Sequence, residues 1–162
     1  MSQITWRFVP FDALTGRELY EVLQLRSAVF VVEQACVFHD MDGADDQAMH
    51  LLGTVSGQLA AYARCFAASV KFAEASIGRV VTHGSQRGSG AGHALMRQAI
   101  TSVTQQWGTQ PIRIGAQARL EQFYRQHGFV KTGEPYSEDD IPHIEMLRPA
   151  SIFKFQVSRS DG

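Results

Sequence analysis

An excess of charge of either sign is missing from this chain. Fifteen Lys and Arg stand against sixteen Asp and Glu, a formal net charge of −1. That balance gives no long-range attraction to nucleic acid or to an anionic membrane. Cysteine is scarce as well. Cys36 and Cys65 make neither a disulfide framework nor a metal motif, which excludes the stapled secreted domains and fits reduced thiols in a cytoplasmic protein. No apolar run approaches transmembrane length, and the first residues lack a signal-peptide pattern. Internal repeats and interdomain linkers are lacking too. What is present is 162 residues of ordinary globular composition, 44% hydrophobic. A chain of that size is expected to form one domain that buries about two-thirds of its unfolded surface.

The stretch 77–107 organises the rest. It opens with the apolar run Ile77-Gly78-Arg79-Val80-Val81-Thr82, passes through Arg87-Gly88-Ser89-Gly90-Ala91-Gly92, and continues with Leu95, Met96, Ala99, Ile100, Val103 and Trp107 at helical spacing. The order is strand, glycine-rich loop, helix. Small side chains leave the loop N–H groups open, and the helix start adds free donors and the positive end of its dipole. The combination favours an anion of pyrophosphate size. A Walker loop is excluded, because it needs a Gly-Lys-Ser/Thr ending and the loop has no Lys. A dinucleotide fingerprint is excluded by the Gly88, Gly90, Gly92 spacing and by the lack of an acid near 107–110.

Elsewhere the pattern predicts a strand at 4–8 and a helix from the capping box Thr15-Gly16-Arg17-Glu18 through Phe30, with a bend or restart at the β-branched run 29–32. Residues 39–46 fail the calcium-loop template and read as an exposed acidic loop. Ser56-Gly57 joins two antiparallel strands, 49–55 and 59–66. A strand at 112–116 follows Pro111, so the helix and its two flanking strands form a right-handed βαβ unit with the strands parallel. A short helix at 118–127 ends at Gly128; strands at 129–132 and 143–147 flank an acidic loop at 134–141. For the tail, 151–162, three arrangements stay open: an edge strand, pairing with a second subunit in a homodimer, or partial disorder.

The spacing Arg87-x-x-Gly90-x-Gly92 resembles the acyl-CoA pyrophosphate loop of the GNAT superfamily of N-acetyltransferases. The strand 112–116 with Gln117, and Phe123-Tyr124-Arg125-Gln126-His127-Gly128-Phe129, resemble that superfamily's following motif. Leu25-Arg26, Val29-Phe30-Val31-Val32-Glu33-Gln34, Gly115-Ala116-Gln117-Ala118 and Ile141-Pro142-His143-Ile144-Glu145-Met146 resemble its ElaA-type branch. The likeness covers about residues 4–148, and it departs from the superfamily's usual Asn at Gln117. It implies an α/β (by some schemes α+β) fold: a mixed, mostly antiparallel sheet with a central, splayed parallel pair and flanking helices. The acetyltransferase domain would span 1–150.

The resemblance also implies acetyl-CoA as co-substrate, with no metal, and an amine acceptor that is a small molecule, a peptide or a protein lysine. The pantetheine arm would pair with Val80, Val81 and Thr82. The pyrophosphate would sit on Arg87, Gly88, Ser89, Gly90, Ala91 and Gly92, and Gln117 would add a contact. Tyr124 would be the general acid for the departing thiolate, since a phenol stays protonated at neutral pH. The base is open among Glu33, His83, His143, His50 and a water chain, with Glu33 preferred. Arg26, Phe30, Arg64 and His143 are expected at the acceptor pocket. Two rival readings remain: a non-catalytic acyl-CoA sensor, and an acyltransferase of the acyl-homoserine-lactone-synthase kind.

Overall fold

The computed structural model describes residues 3–150. The tail at 151–162 lies outside the described residues. Eight strands form one sheet: β1 (Thr5–Pro10), β2 (Met49–Val55), β3 (Gln58–Phe66), β4 (Ala75–Thr82), β5 (Ile112–Gln117), β6 (Val130–Lys131), β7 (Tyr136–Glu138) and β8 (Ile141–Arg148). Their order is β1-β2-β3-β4-β5-β8-β6, with β7 paired to β8. Every pairing is antiparallel except β4 with β5. The helices are α1 (Gly16–Arg26), α2 (Ala91–Trp107) and α3 (Glu121–Arg125). The mixed α/β class and the parallel βαβ unit are as expected.

Strand alternation divides the core between the two faces. On one, Leu95, Met96, Ala99 and Val103 of α2 pack against Ile77, Ile114, Ile144 and Met146. On the other, Val22 and Leu25 of α1 pack against Leu52, Tyr62 and Val81. The first of these α2 positions are fully buried, so the helical spacing read from sequence does mark the core-facing stripe.

Local chemistry explains the element ends. Thr15 accepts from the Glu18 N–H at 3.1 Å while Glu18 accepts from the Thr15 N–H at 2.9 Å, a closed capping box. After Arg26 the helix widens to π geometry over Ser27–Glu33, at the β-branched run where a restart was expected. Gly128, at φ 90°, terminates α3, with Phe129 N–H donating to Tyr124 O and Gly128 N–H to Arg125 O. Residues 118–120 form a separate 3-10 turn, so the expected helix is shorter than its sequence pattern.

Two expectations are corrected. Residues 134–141 are not all loop: β7 lies inside them, closed onto β8 by a two-residue turn with Asp139 at φ 51° and Asp140 at φ 62°. Asp tolerates the left-handed region well enough to make a primed hairpin turn without Gly. The acidic segment 39–46 is a loop exposed at 39, 41–43 and 46, as expected, but its carboxylates at 40 and 45 turn inward. It folds onto the sheet, and Asp40 is only 7% accessible.

β4 and β5 pair at two positions only, Ala75 with Ile112 and Ser76 with Arg113. Beyond them the strands diverge. A bulge in β4 helps turn it away: the β3 register jumps from Tyr62–Val81 to Arg64–Gly78, which leaves Arg79 and Val80 opposite Ala63. Arg79 takes φ 49° there, costing about 1–2 kcal/mol for a side chain with a Cβ.

Candidate active site

The divergence of β4 and β5 opens a cavity of about 890 Å³. Phe30, Glu33, Val80, Gln117, Tyr124 and His143 are all on its wall, as are Val81, Thr82, Arg64 and Arg87. Sequence reasoning therefore brings together residues from both halves of the chain. Over the diverging stretch, β4 has no β5 partner, so its main-chain groups on that edge are free to pair with an extended arm carrying amides. The wall fits a pantetheine-like chain in that respect.

Of the loop 87–92 only Arg87 is on the cavity wall; beyond it, Gly90 is the N-cap of α2 at φ 83°, with no side chain capping the helix, and Gly88 stands at φ 79°. Uncapped donors at a helix start suit a phosphate. Glycine is required at position 90 by its backbone angle rather than by crowding, since a Cβ there would meet nothing within 4 Å. The Ser89 hydroxyl donates to Gln86 O. Arg87 is already engaged: its fork grips the Glu33 carboxylate, with Nη2 to Oε2 at 2.6 Å. Both side chains are about half exposed. The bond from Arg87 holds the Glu33 pKa below the usual carboxylate range, which weakens Glu33 as a base.

Tyr124 is buried against Phe123 and Phe129, and burial pushes its phenol up to about 12. It stays protonated throughout the neutral range, so it has a proton to donate there. Gln117 donates to Gln34 Oε1 at 3.2 Å and accepts from Arg119 Nε at 3.1 Å, which aims its amide across the slot toward the π-helical segment.

Two expected acceptor-pocket residues are elsewhere or otherwise occupied. Arg26 is fully buried and is not on the cavity wall. Its Nε donates to Asp40 at 2.8 Å and its Nη1 to Asp45 at 2.8 Å. Arg64 touches the cavity but is 1% accessible, forked onto Asp42 at 2.8 Å through both terminal nitrogens and stacked over Phe66. Arg79 completes the cluster, donating to Asp40 Oδ1 at 2.9 Å and to Asp40 O at 3.0 Å. Buried charge needs such partners, and the acidic segment 39–46 exists to supply them. The other histidines weighed as proton carriers are also committed. His83 caps the 3-10 turn Gly84–Gln86, and His50 is sealed between Tyr62 Oη at 2.6 Å and Asp45 O at 2.8 Å.

Sequence reasoning missed Arg79 and Tyr136. Tyr136 stacks on His143 with ring centroids 5.9 Å apart, and its hydroxyl lies over Gly115, where a Cβ would come within 2.9 Å of it. The signal for Tyr136 was its alternation with Glu138 next to a strand, which the acidic composition of 134–141 concealed. Among the described residues no group of three or more His, Cys, Asp or Glu is arranged for a metal ion, and no helix is long and apolar enough to cross a membrane.

Comparison with known proteins agrees with this geometry. The family described as "Acetyltransferase (GNAT) domain" matches residues 19–148. Protein ElaA of Escherichia coli is 41% identical over 147 residues, covering 90% of this chain and 96% of that protein. Its crystal structure superposes with a TM-score of 0.84 at 40% identity, over 90% of this chain and 99% of that one. An acyl-CoA N-acyltransferase from Pseudomonas aeruginosa gives a TM-score of 0.86 at 42% identity, with the same coverage of 90% and 99%. The AHL synthase LasI shares the fold alone, with a TM-score of 0.73 at 15% identity over 93% of this chain and 92% of that one. On the matched family region and the ElaA relatives, the chain belongs to the GNAT acetyltransferase family, in its ElaA-type branch.

Proposed function

We propose that the protein is an acyl-CoA-dependent N-acetyltransferase that moves an acetyl group from acetyl-CoA to an amine by direct attack. The observation that carries this reading is the β4–β5 slot, paired at only two positions and lined by Tyr124 and by Arg87, which leads into the uncapped start of α2. The free β4 edge at Val80, Val81 and Thr82 would take the pantetheine amides. The loop 87–92 would take the pyrophosphate on its N–H groups, and Arg87 would leave Glu33 to add a charge-assisted bond. Gln117 would contact the arm from the other strand. A main-chain N–H at the bulge near Val81 would polarise the thioester carbonyl, and the Arg79–Asp40 tether would hold that bulge in place.

Tyr124 serves as general acid. As the amine nitrogen bonds to the carbonyl carbon and the C–S bond breaks, the hydroxyl donates to the departing sulfur. Phe30, Glu33 and His143 form the acceptor side. The acceptor is an amine of a small molecule, a peptide or a protein. The two free, buried thiols, Cys36 and Cys65, suit a reducing cytoplasm.

The test is thiol release from acetyl-CoA with a panel of primary amines. Turnover is expected with at least one amine. Tyr124→Phe should lower kcat by about 100-fold or more, with CoA affinity retained. Tight CoA binding without turnover on any amine would instead identify a sensor module.

A further inference from the structure

We infer that His143 is the proton acceptor for the amine, and that Tyr136, His143 and Glu138 form a wall built to receive a primary ammonium group. The inference deepens the acetyltransferase reading and rests on it. Four other ionisable groups are excluded by their bonds: Glu33 by Arg87, Asp42 by Arg64, His83 by its turn, and His50 by its burial. His143 is different. It projects from β8 at the position that pairs with Gln117 of β5, one strand from the slot, and lies on the cavity wall.

The tautomer is fixed by its partner. His143 Nδ1 lies 2.7 Å from Ile141 O. A carbonyl only accepts, so Nδ1 carries the hydrogen and Nε2 carries the lone pair. Nε2 lies 3.5 Å from Glu138 Oε2. When Nε2 takes a proton, the imidazolium that forms has the Glu138 carboxylate beside it, while the Ile141 carbonyl on Nδ1–H fixes the tautomer and the ring's orientation. Tyr136 stacks on the ring from β7 and holds its plane.

Carboxylates flank the ring: Glu138 comes from β7 and Asp139 from the turn, both on the cavity wall. Glu145, two residues along β8, is tied to Arg113 at 3.0 Å, and Arg119, bonded to Gln117, is a cation on the same wall. Glu138 and Asp139 attract an ammonium group to this side of the cavity. His39 also reaches the cavity, but no hydrogen bond among the described residues orients its ring.

The step balances as follows. The ammonium gives one proton to His143 Nε2 and becomes a nucleophile. Its nitrogen bonds to the acetyl carbon, the C–S bond breaks, and the sulfur leaves with the Tyr124 proton. The second proton shed by the new amide nitrogen passes through water to restore Tyr124, and His143 returns its proton to solvent past Glu138. The net change is ammonium plus thioester to amide, thiol and one released proton.

The experiment uses the full chain, saturating acetyl-CoA and a panel of primary amines, followed by thiol release between about pH 5.5 and 9, the range where imidazole changes charge. In the wild type, kcat/KM for the amine should fall on the acid side along one ionisation. His143→Gln should lower it about 100-fold or more and remove that limb, with CoA affinity by calorimetry within about twofold. Glu138→Gln should raise KM for the amine more than it lowers kcat, because the arriving ammonium loses a carboxylate on the wall. The NMR titration of the His143 ring in the wild type should coincide with the kinetic limb, which keeps the test independent of how well the Gln variant folds. An His143→Gln enzyme with the limb intact and a rate within about threefold of wild type would overturn the inference and leave the acetyltransferase standing. So would a ring titration displaced from the limb, or a limb lost in His39→Gln instead. Absence of wild-type turnover with every amine, with CoA bound, would bring down both readings together.

Discussion

The molecule contains two kinds of arginine–carboxylate contact, and burial separates them. In one, Arg26, Arg64 and Arg79 interlock with Asp40, Asp42 and Asp45 under α1. Arg26 and Arg64 are essentially inaccessible, and Asp40 accepts from Arg26 and Arg79 through both carboxylate oxygens and its main-chain carbonyl. In the other, Arg87 and Glu33 face each other across the slot mouth with nearly half of each side chain in water. The bonds look alike on paper. The sealed cluster cannot exchange partners without exposing a bare charge to a dry interior, so it acts as scaffold. The open pair exchanges with solvent ions at little cost, so it is available to a passing phosphate. A shared residue chemistry thus yields framework in one place and an exchangeable pair in the other.

The strongest way to break the comparison is to remove the carboxylate at the centre of the sealed cluster. Asp40→Ala takes a carboxylate from Arg26 and Arg79, leaving Arg26 with Asp45 and both with the residue-40 carbonyl, and should cost roughly 3 kcal/mol of unfolding free energy, read from urea denaturation. It also frees the Arg79 side chain at a backbone angle that L residues avoid. Adding Arg79→Gly should therefore recover part of the loss, because glycine holds φ 49° without strain. A double variant no more stable than Asp40→Ala would show that the bulge does not depend on its tether.

A pH series sharpens the same contrast. The Arg64 fork holds the Asp42 pKa well below the usual carboxylate range. A carboxylate depressed in the folded state contributes stability above its unfolded pKa, and that contribution disappears as the pH falls toward the folded value. Thermal melts should therefore show a decline that begins below about pH 4, the ordinary Asp range. In Asp42→Asn the decline should be shallower, on a lower neutral plateau. A decline of equal steepness in both proteins would remove Asp42 from the acid response.

Much of the β4–loop–α2 unit was legible in the sequence because its parts are contiguous. Strand, loop and helix follow one another over 77–107, and each has a local signature: the β-branched run, the small loop residues, the helical stripe. Gly128 and the Thr15 capping box were legible for the same reason. The sealed cluster was not. Asp40, Asp42 and Asp45 look like a solvated acidic stretch until Arg26, Arg64 and Arg79, which lie 14 to 39 residues away in sequence, are brought under them by tertiary packing. Arg26 was misplaced in the acceptor pocket because nothing local says which side of α1 will be covered. Tyr136 was hidden because a three-residue strand between acidic turns has too short a pattern to read.

A smaller effect separates the helix mouth from the sheet below it. Gly90→Val introduces a branched side chain at φ 83° and should cost about 1–2 kcal/mol, well short of the Asp40→Ala loss. It should also weaken CoA binding strongly in calorimetry, because the added methyls crowd the site proposed for the pyrophosphate. Retained affinity would exclude the loop as that site.

The least effect on stability is expected at the open pair. Glu33→Gln removes the carboxylate from Arg87 but leaves both side chains hydrated, so the unfolding free energy should move by less than about 0.5 kcal/mol. Binding should respond in the opposite sense to damage. In the wild type, Arg87 must leave Glu33 before it can approach a diphosphate. With Gln at position 33 that exchange is gone, and CoA should bind roughly two- to fivefold more tightly at low salt, the range a surface ion pair spans. The advantage should shrink as salt screens the wild-type pair, and the two titration curves should converge near 1 M salt, where the screening length is about 3 Å. If the Gln variant binds CoA no better than wild type at low salt, Arg87 does not move between the two partners, and the open pair is scaffold after all.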